Sequence, residues 1–283
     1  MIERRIPLLK DNHTHPSQYA SFSNAVNLQK VDDKDQALIK FDKLKSDELN
    51  IALGWNSGYY KFKDDELDGY PPLIICNLSF HQFVVNDPAA RLMSNKYPEM
   101  IENIEDESWV EQNLPTILRN LTEIKFKDKE QLNVFFKSLV EKGVWYAEEM
   151  LLPNEVILEA YKRADLTNRT AFWTNFQTYD RFSDVTKKKI EGIKIFVDGA
   201  LGSSTAAIKG QYKDGHDGLL LYSDSELEEK ISTVFKEGKR PAIHAIGDRA
   251  TEQTVEVLTW IEKKGFDLTK ARMEHCKFIT KNC

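Results

Sequence analysis

The stretch that decides the fold runs from residue 240 to 265 and reads "RPAIHAIGDRATEQTVEVLTWIEKKG". Its first nine residues (240–248) form an apolar run that predicts a buried strand. Residues 249–265 carry the apolar spacing and the closing glycine of an amphipathic helix. The apolar run "ARMEHCKFI" at 271–279 predicts a second strand. A strand, a helix and a strand in this order favour parallel strands joined by a helical crossover.

The same alternation extends over most of the chain from residue 143 onward. Further strands are predicted at 143–151, 169–176 and 192–199, and "IPLLKDN" (6–12) adds one near the N-terminus. Further helices are predicted at 153–165 and 225–238, the second with Ser225 three residues before Glu228 as a capping box. Six parallel strands of this kind indicate an α/β fold, a TIM-type (β/α) barrel. Since eight units typically need about 250 residues, we expect an incomplete barrel of about six units.

Residues 49–125 interrupt this alternation with strand-like runs and polar helical segments that contain proline. We interpret them as an inserted cap segment. The chain then divides into a barrel start at 1–48, the insertion at 49–125, and barrel strands two to six at 126–283. An open barrel exposes two strand edges, which favours pairing with another copy of the chain.

Composition excludes several classes of function. The 283 residues carry a formal net charge of −6, which argues against nucleic acid as a partner. Three scattered cysteines without a CxxC motif favour a reducing, cytoplasmic setting over a disulfide framework. Without a run of 18 or more apolar residues or a signal peptide, the sequence predicts a soluble protein with no membrane contact.

His13 and His15 lie one residue apart directly after the first predicted strand. On a strand, side chains at this spacing share a face, and two imidazoles there can bind one metal ion. An isolated pair of this kind is more often a pair of turn histidines bonded to backbone. Two more histidines change that balance, because His244 and His275 also lie near the C-terminal ends of predicted strands, where barrel active sites form. Imidazole ligands suit zinc and similar metals.

Lys194 stands inside the apolar strand "GIKIFVDG". A lysine is costly to bury as a cation, and burial shifts its pKa and exposes a nucleophilic amine. The alternative is a side chain that points outward with its charged end in solvent. Asp198, four residues later, shares its face. Glu274, by contrast, has the opposite parity to His275 and is expected to point away from the site, and Asp248 is expected to cap the helix that follows it.

Together these motifs resemble the amidohydrolase superfamily of metal-dependent hydrolases. "DNHTHP" (11–16) is similar to its strand-one HxH motif, and "RMEHC" (272–276) to a strand-six motif. "GIKIFVDGALGSSTA" (192–206) and "AIHAIGDRATEQTV" (242–255) resemble the branch that contains N-substituted formamide deformylases and exoenzyme-regulatory-type proteins. The resemblance is specific from 192 to 276 and loose from 17 to 140.

The resemblance implies a role for each matching residue. One or two divalent metal ions, zinc first among them, would be held by His13, His15, Lys194, His244 and His275. Lys194 would be a carboxylated lysine that bridges two ions. A small-molecule substrate would contact His81, Asp198 and Arg249. A half-buried packing histidine is an even alternative for His81, and a salt bridge to a neighbouring carboxylate is at least as favoured for Arg249.

The implied activity is hydrolysis of a C–N bond of an amide, formamide or cyclic amide through a metal-activated water. The family also uses an aspartate at the end of strand eight as metal ligand and general base, and no residue after His275 matches it. The catalytic base is therefore unassigned, and we expect either a piece of a longer protein or a shortened relative. The alternative function is a degenerate, inactive relative that serves as a binding or regulatory module.

Overall fold

A six-stranded parallel sheet forms the larger part of the protein. The computed structural model describes residues 7–46, 48–63, 65–213 and 215–279. The strands of this sheet, in spatial order, are β1 (Leu9–Thr14), β6 (Val144–Glu149), β7 (Thr170–Thr174), β8 (Ile190–Phe196), β9 (Arg240–Ala245) and β10 (Arg272–His275). Every neighbouring pair is parallel, as helical crossovers require.

The large sheet is strongly curled. Strands in a flat sheet lie about 4.8 Å apart, so β1 and β10 at its two edges would be separated by about 24 Å. Instead, the rings of His13 on β1 and His275 on β10 have centroids 4.7 Å apart. The predicted incomplete barrel is therefore confirmed as a half-barrel of six parallel strands.

Helices cover the outer face of the curled sheet. The main apolar core lies between these helices and the sheet. Four different helices contribute to it, with the buried residues Phe136, Tyr161, Ile231 and Val257. The helices of this part of the chain are α1 (Pro16–Ser21), α6 (Lys129–Glu141), α7 (Glu155–Arg163), α8 (Phe176–Tyr179), α9 (Asp184–Lys187), α10 (Asp224–Lys236) and α11 (Asp248–Lys263). Every second side chain along each strand points instead to the inner face of the sheet.

The residues that cap the N-termini of two helices differ from the predicted ones. The capping box of α10 is formed by Ser223 and Glu226, not by Ser225 and Glu228, so the helix begins earlier than the sequence pattern indicated. The N-cap of α11 is Gly247. Asp248 is the first helical residue, and its carboxylate accepts a hydrogen bond from the backbone N–H of Lys209 at 2.8 Å. The expectation that Asp248 caps the helix was therefore wrong.

A smaller four-stranded sheet packs with four helices over the mouth of the half-barrel. Its strands, in spatial order, are β2 (Val26–Asn27), β3 (Asn50–Trp55), β4 (Leu73–Asn77) and β5 (Phe83–Val85). The helices of this region are α2 (Lys34–Phe41), α3 (Asp87–Met93), α4 (Pro98–Asn103) and α5 (Glu107–Lys125). The sheet begins at Val26, ahead of residue 49, and the predicted boundaries at 48 and 125 stay predictions.

Helix α5 covers a segment in which a proline was expected to interrupt the helix. Pro115 lies inside the helix, which continues to Lys125. Leu114, Ile117 and Leu121 are all buried in the core of the smaller sheet, so burial of this apolar face offsets the cost of the missing backbone N–H. The helix therefore continues unbroken past Pro115.

Candidate metal centre

Four histidines meet at the C-terminal ends of the parallel strands. The ring centroids are 5.6 Å apart for His13 and His15, 4.7 Å for His13 and His275, and 4.6 Å for His244 and His275. They come from β1, from the residue after it, from β9 and from β10. The structure thus brings together, in one cluster, residues that are far apart in the sequence.

Lys194 lies under this cluster on β8. Its side chain points inward, with 2% of the residue exposed, and its Nζ lies 3.4 Å from Nε2 of His13. Burial lowers the pKa of Lys194 to about 7, while the negative charge of Glu274 acts in the opposite direction. The alternative in which this lysine reaches solvent is therefore wrong.

Glu274 belongs to the cluster, although its parity predicted that it points away. Its Oε2 lies 2.5 Å from Nδ1 of His13. Burial raises the pKa of Glu274, but the hydrogen bond from His13 and the charge of Lys194 outweigh this and lower it overall. The ionised carboxylate accepts the Nδ1 proton, which leaves the Nε2 lone pair of His13 directed toward Lys194.

The backbone at the end of β10 explains why parity failed. His275 has φ 73° and Cys276 has φ 43°, so two consecutive residues adopt the left-handed conformation that side chains rarely occupy. Glu274 lies in register with His244 and shares its inward face, whereas the left-handed turn redirects His275, so that both residues reach His13. Strained backbone of this kind is common at functional sites.

A hydrogen bond to the backbone fixes the ring of His244. Its Nε2 donates a hydrogen bond to the carbonyl oxygen of Gly199 at 3.0 Å, which leaves Nδ1 as the free nitrogen. Burial lowers the pKa of His244 well below the ordinary value, and the positive charge of Lys194 adds to the effect. Burial likewise lowers the pKa of His15 well below its usual range, with His13 as the next cause. Both rings are thus neutral, as metal ligands must be.

The donor chemistry fits a divalent metal. Nδ1 of His15 is buried and has no hydrogen-bond partner, which is costly unless another group binds there. Among the residues that the structure describes, however, no three histidine, cysteine, aspartate or glutamate side chains already stand in the geometry of a metal site. The rings are close neighbours whose planes are inclined by 58° to 79° to one another.

A cavity of about 530 Å³ opens over the cluster, between the half-barrel and the smaller sheet. Apolar side chains form much of its wall, from both parts of the chain. They are Phe22, Trp55, Leu78, Phe80, Leu114, Leu118, Leu151, Phe196, Ala200, Leu201 and Ile246. The charged lining residues are Lys194 and Lys277, beside the histidines, and no acidic side chain of the described residues lines it. This size and lining suit a small organic molecule.

The three predicted substrate contacts lie in different environments. His81 lines the cavity, and its ring centroid is 6.1 Å from that of His244. Asp198 and Arg249 are not among the lining residues. The Arg249 guanidinium donates to the Asp217 carboxylate, which matches the salt-bridge alternative. Contact of any of the three with a substrate stays a prediction.

Asp198 organises the two loops that follow β8 and β9. Its carboxylate accepts hydrogen bonds from the backbone N–H groups of Ala207, Ile246 and Gly247 at 3.0, 2.9 and 2.8 Å. Burial raises the pKa of Asp198 to about 6, and these three hydrogen bonds oppose the shift. Gly247 allows the close approach, because a Cβ there would lie 1.8 Å from the carbonyl oxygen of Ala207.

Comparison with known proteins places this site in a family. The model of the amidohydrolase family matches residues 5–282. The chain belongs to this family. The predicted superfamily is thereby confirmed, whereas the specific branch stays a prediction.

Two curated proteins are similar in sequence to this amidohydrolase-family chain, at 24% and 27% identity. It is 24% identical over 295 residues to YtcJ of Bacillus subtilis (strain 168), an alignment that covers 91% of the chain and 55% of YtcJ. It is 27% identical over 137 residues to the protein LONG AFTER FAR-RED 3 of Arabidopsis thaliana, which covers 44% of the chain and 24% of that protein. The chain therefore spans about half the length of the first relative, and the segment matched to the second spans about a quarter of that protein.

Two solved structures share the fold. One is an uncharacterized metal-dependent hydrolase from Pyrococcus horikoshii OT3, with a TM-score of 0.68 and 21% identity, covering 98% of the chain and 59% of that protein. The other is an uncharacterized metal-dependent hydrolase from Pyrococcus furiosus, with a TM-score of 0.62 and 20% identity, covering 98% and 61%. No helix within the described ranges is long and apolar enough to cross a bilayer.

Proposed function

We propose that the protein is a metal-dependent hydrolase that cleaves a C–N bond of a small amide, formamide or cyclic amide. The observation that carries the proposal is the cluster of four imidazoles around the buried amine of Lys194 at the mouth of the half-barrel. Family membership and metal-dependent hydrolases among the structural neighbours support it. The cavity supports a small molecule as the substrate.

In this proposal, one or two divalent ions are held by His13, His15, His244 and His275, with zinc as the first candidate because imidazole suits it. A bound ion of this kind would polarise a carbonyl and lower the pKa of a bound water to about 7. Lys194 contributes as a carbamate. Its neutral amine nitrogen adds to the carbon of carbon dioxide and loses one proton, so that a buried base becomes a carboxylate-like ligand.

The protein's own residues bind and orient the substrate. The apolar wall around Phe22, Phe80 and Leu118 takes an alkyl or aromatic substituent and keeps water away from it. His81 supplies a polar contact from the smaller sheet. The absence of an acidic lining residue in the described part of the chain favours a neutral or anionic substrate over a cationic one.

Metal analysis tests the proposal directly. The purified protein should contain at least one zinc or similar ion per chain, and a chelator should remove both the ion and the hydrolysis of a panel of amides, formamides and lactams. His15→Ala and His244→Ala should lose the metal, whereas a matched change at the exposed His216, His216→Ala, should keep it. Fewer than one ion per chain in the unchanged protein would refute the metal centre. Bound metal without any hydrolysis would favour the non-catalytic binding module instead.

A further inference from the structure

We propose that Glu111 fixes His81 as a hydrogen-bond acceptor, so that the cavity selects amides that carry an N–H group over their N-alkylated analogues. This inference rests on the proposed function for the choice of amides as ligands. It assigns Glu111 a positioning role and His81 a role in specificity.

Glu111 and His81 form a buried pair between helix α5 and the loop after β4. Nδ1 of His81 lies 2.7 Å from Oε2 of Glu111, and the two residues are 5% and 2% exposed. The other oxygen of Glu111, Oε1, accepts a hydrogen bond from the Thr205 hydroxyl at 2.5 Å. Both oxygens of the carboxylate are thus engaged as acceptors.

Thr205 is itself held in place, which fixes the direction of its hydrogen bond. Its Oγ1 accepts from the backbone N–H of Ala200 at 3.0 Å and lies 2.8 Å from the hydroxyl of Ser203. The hydroxyl proton therefore goes to Glu111. The loop after β8 and helix α5 are joined at this point.

The tautomer of His81 follows from these contacts. An ionised carboxylate can only accept, so the ring proton stands on Nδ1 and Nε2 carries a lone pair. Within the described residues, Nε2 of His81 has no hydrogen-bond partner, and the side chain lines the cavity beside His244. A lone pair held there binds a donor, and the nitrogen of a secondary amide or lactam supplies one.

An N-methylated amide has no N–H group to donate. When it binds, Nε2 of His81 loses water and gains no hydrogen-bond partner. An unsatisfied buried acceptor of this kind should give a roughly 10- to 100-fold weaker complex, equivalent to about 1.4–2.7 kcal/mol. Polar sites of this kind are a strong source of discrimination because the cost falls on the wrong ligand.

The test uses δ-valerolactam and N-methyl-δ-valerolactam, two rigid rings that differ by one methyl group. The metal-loaded protein should bind the first at least about tenfold more tightly. In Glu111→Gln, Thr205 continues to donate to Oε1, so the amide nitrogen faces Nδ1 of His81 and moves the ring proton to Nε2. The preference should then fall close to one. Glu107→Gln, on the exposed first turn of the same helix, should keep it.

Nitrogen-15 NMR of the His81 ring, assigned by its loss in His81→Asn, gives a readout that needs no turnover. The unchanged protein should show a protonated Nδ1 and a bare Nε2, and Glu111→Gln should show the reverse. A proton on Nε2 in the unchanged protein, or a lactam preference that Glu111→Gln leaves intact, would overturn the inference. Failure of all amides to be hydrolysed would refute the proposed function alone, since binding and the tautomer are measured at equilibrium.

Discussion

Nη2 of Arg272 donates a hydrogen bond to the carbonyl oxygen of Asn12 at 2.7 Å, so a side chain of the last strand is bonded to the main chain of the first. The same guanidinium also donates to the buried carboxylate of Glu148 and packs over the ring of Trp173 at 5.0 Å. No backbone ladder joins β1 and β10 within the described residues. Arg272 therefore holds the curl of the sheet where backbone pairing does not.

Replacing this arginine should destabilise the protein far more than replacing a surface arginine. Arg272→Leu leaves the Glu148 carboxylate, whose side chain is 4% exposed, with Lys10 as its remaining cationic partner, so we expect a loss of up to about 3–5 kcal/mol, the cost of breaking a buried pair. Arg240→Leu is the matched control, because Arg240 also packs over Trp173 but pairs with the exposed Glu191, a contact worth about 0–1 kcal/mol. Urea unfolding measures both. Equal losses would show that Arg272 does not hold the curl.

Changes at Glu274 should weaken metal binding in a graded order. Glu274→Gln keeps an acceptor for Nδ1 of His13 but loses the charge, and Glu274→Ala loses both. Removal of such an outer partner typically costs 10- to 100-fold in metal affinity, so we expect the unchanged protein to bind zinc most tightly and Glu274→Ala least. Competition with a chromophoric chelator gives the affinities. Glu262→Gln, at an exposed position of α11, should match the unchanged protein, and equal affinities for all four would contradict the orienting role.

Lys194 should be the residue that takes up carbon dioxide. With zinc and carbon-13 bicarbonate, the unchanged protein should develop a carbamate signal in NMR, because burial keeps a large share of this amine neutral near pH 7. The signal should be absent from Lys194→Met and should remain in Lys277→Met, which removes the exposed lysine of the same cavity. A signal that survives Lys194→Met would assign the carbamate elsewhere.

A methyl group at residue 199 should disturb Glu111 without altering any side chain of its network. A Cβ on Gly199 would lie 2.1 Å from Oγ1 of Thr205 and 2.5 Å from Oε1 of Glu111. We expect Gly199→Ala to lower the free energy of unfolding by about 1–3 kcal/mol and to reduce the lactam preference. Gly210→Ala is the control, since a Cβ there meets no atom within 4 Å. If both variants unfold at the same urea concentration, the close approach at Gly199 is not required.

The sequence was sufficient for the large sheet because its signals are local. The strand β9, for example, is a short apolar run followed directly by the amphipathic helix α11. The four histidines could therefore be placed at one end of the sheet before the structure was known. The direction of Lys194 was left open, because an inward and an outward lysine occupy the same sequence pattern.

The contacts that the sequence did not predict depend on tertiary structure. Glu274 reaches His13 because it lies in register with His244 on β9, and His275 reaches the same ring because the backbone turns left-handed there. Nothing in "RMEHC" indicates that turn. Glu111 looks like an ordinary polar residue of a helix, and its partners His81 and Thr205 are remote in the chain. The two-residue strand Val26–Asn27 is too short to show any periodicity.

The division of the cavity between two sheets has an evolutionary consequence. The donor cluster comes from the large sheet, whereas Trp55, Leu78 and Phe80 on the opposite wall come from the smaller one. Substitutions in that wall can change the shape of the cavity without altering the four histidines of the cluster. Proteins with this arrangement can therefore acquire a different substrate specificity while they keep the same histidine cluster.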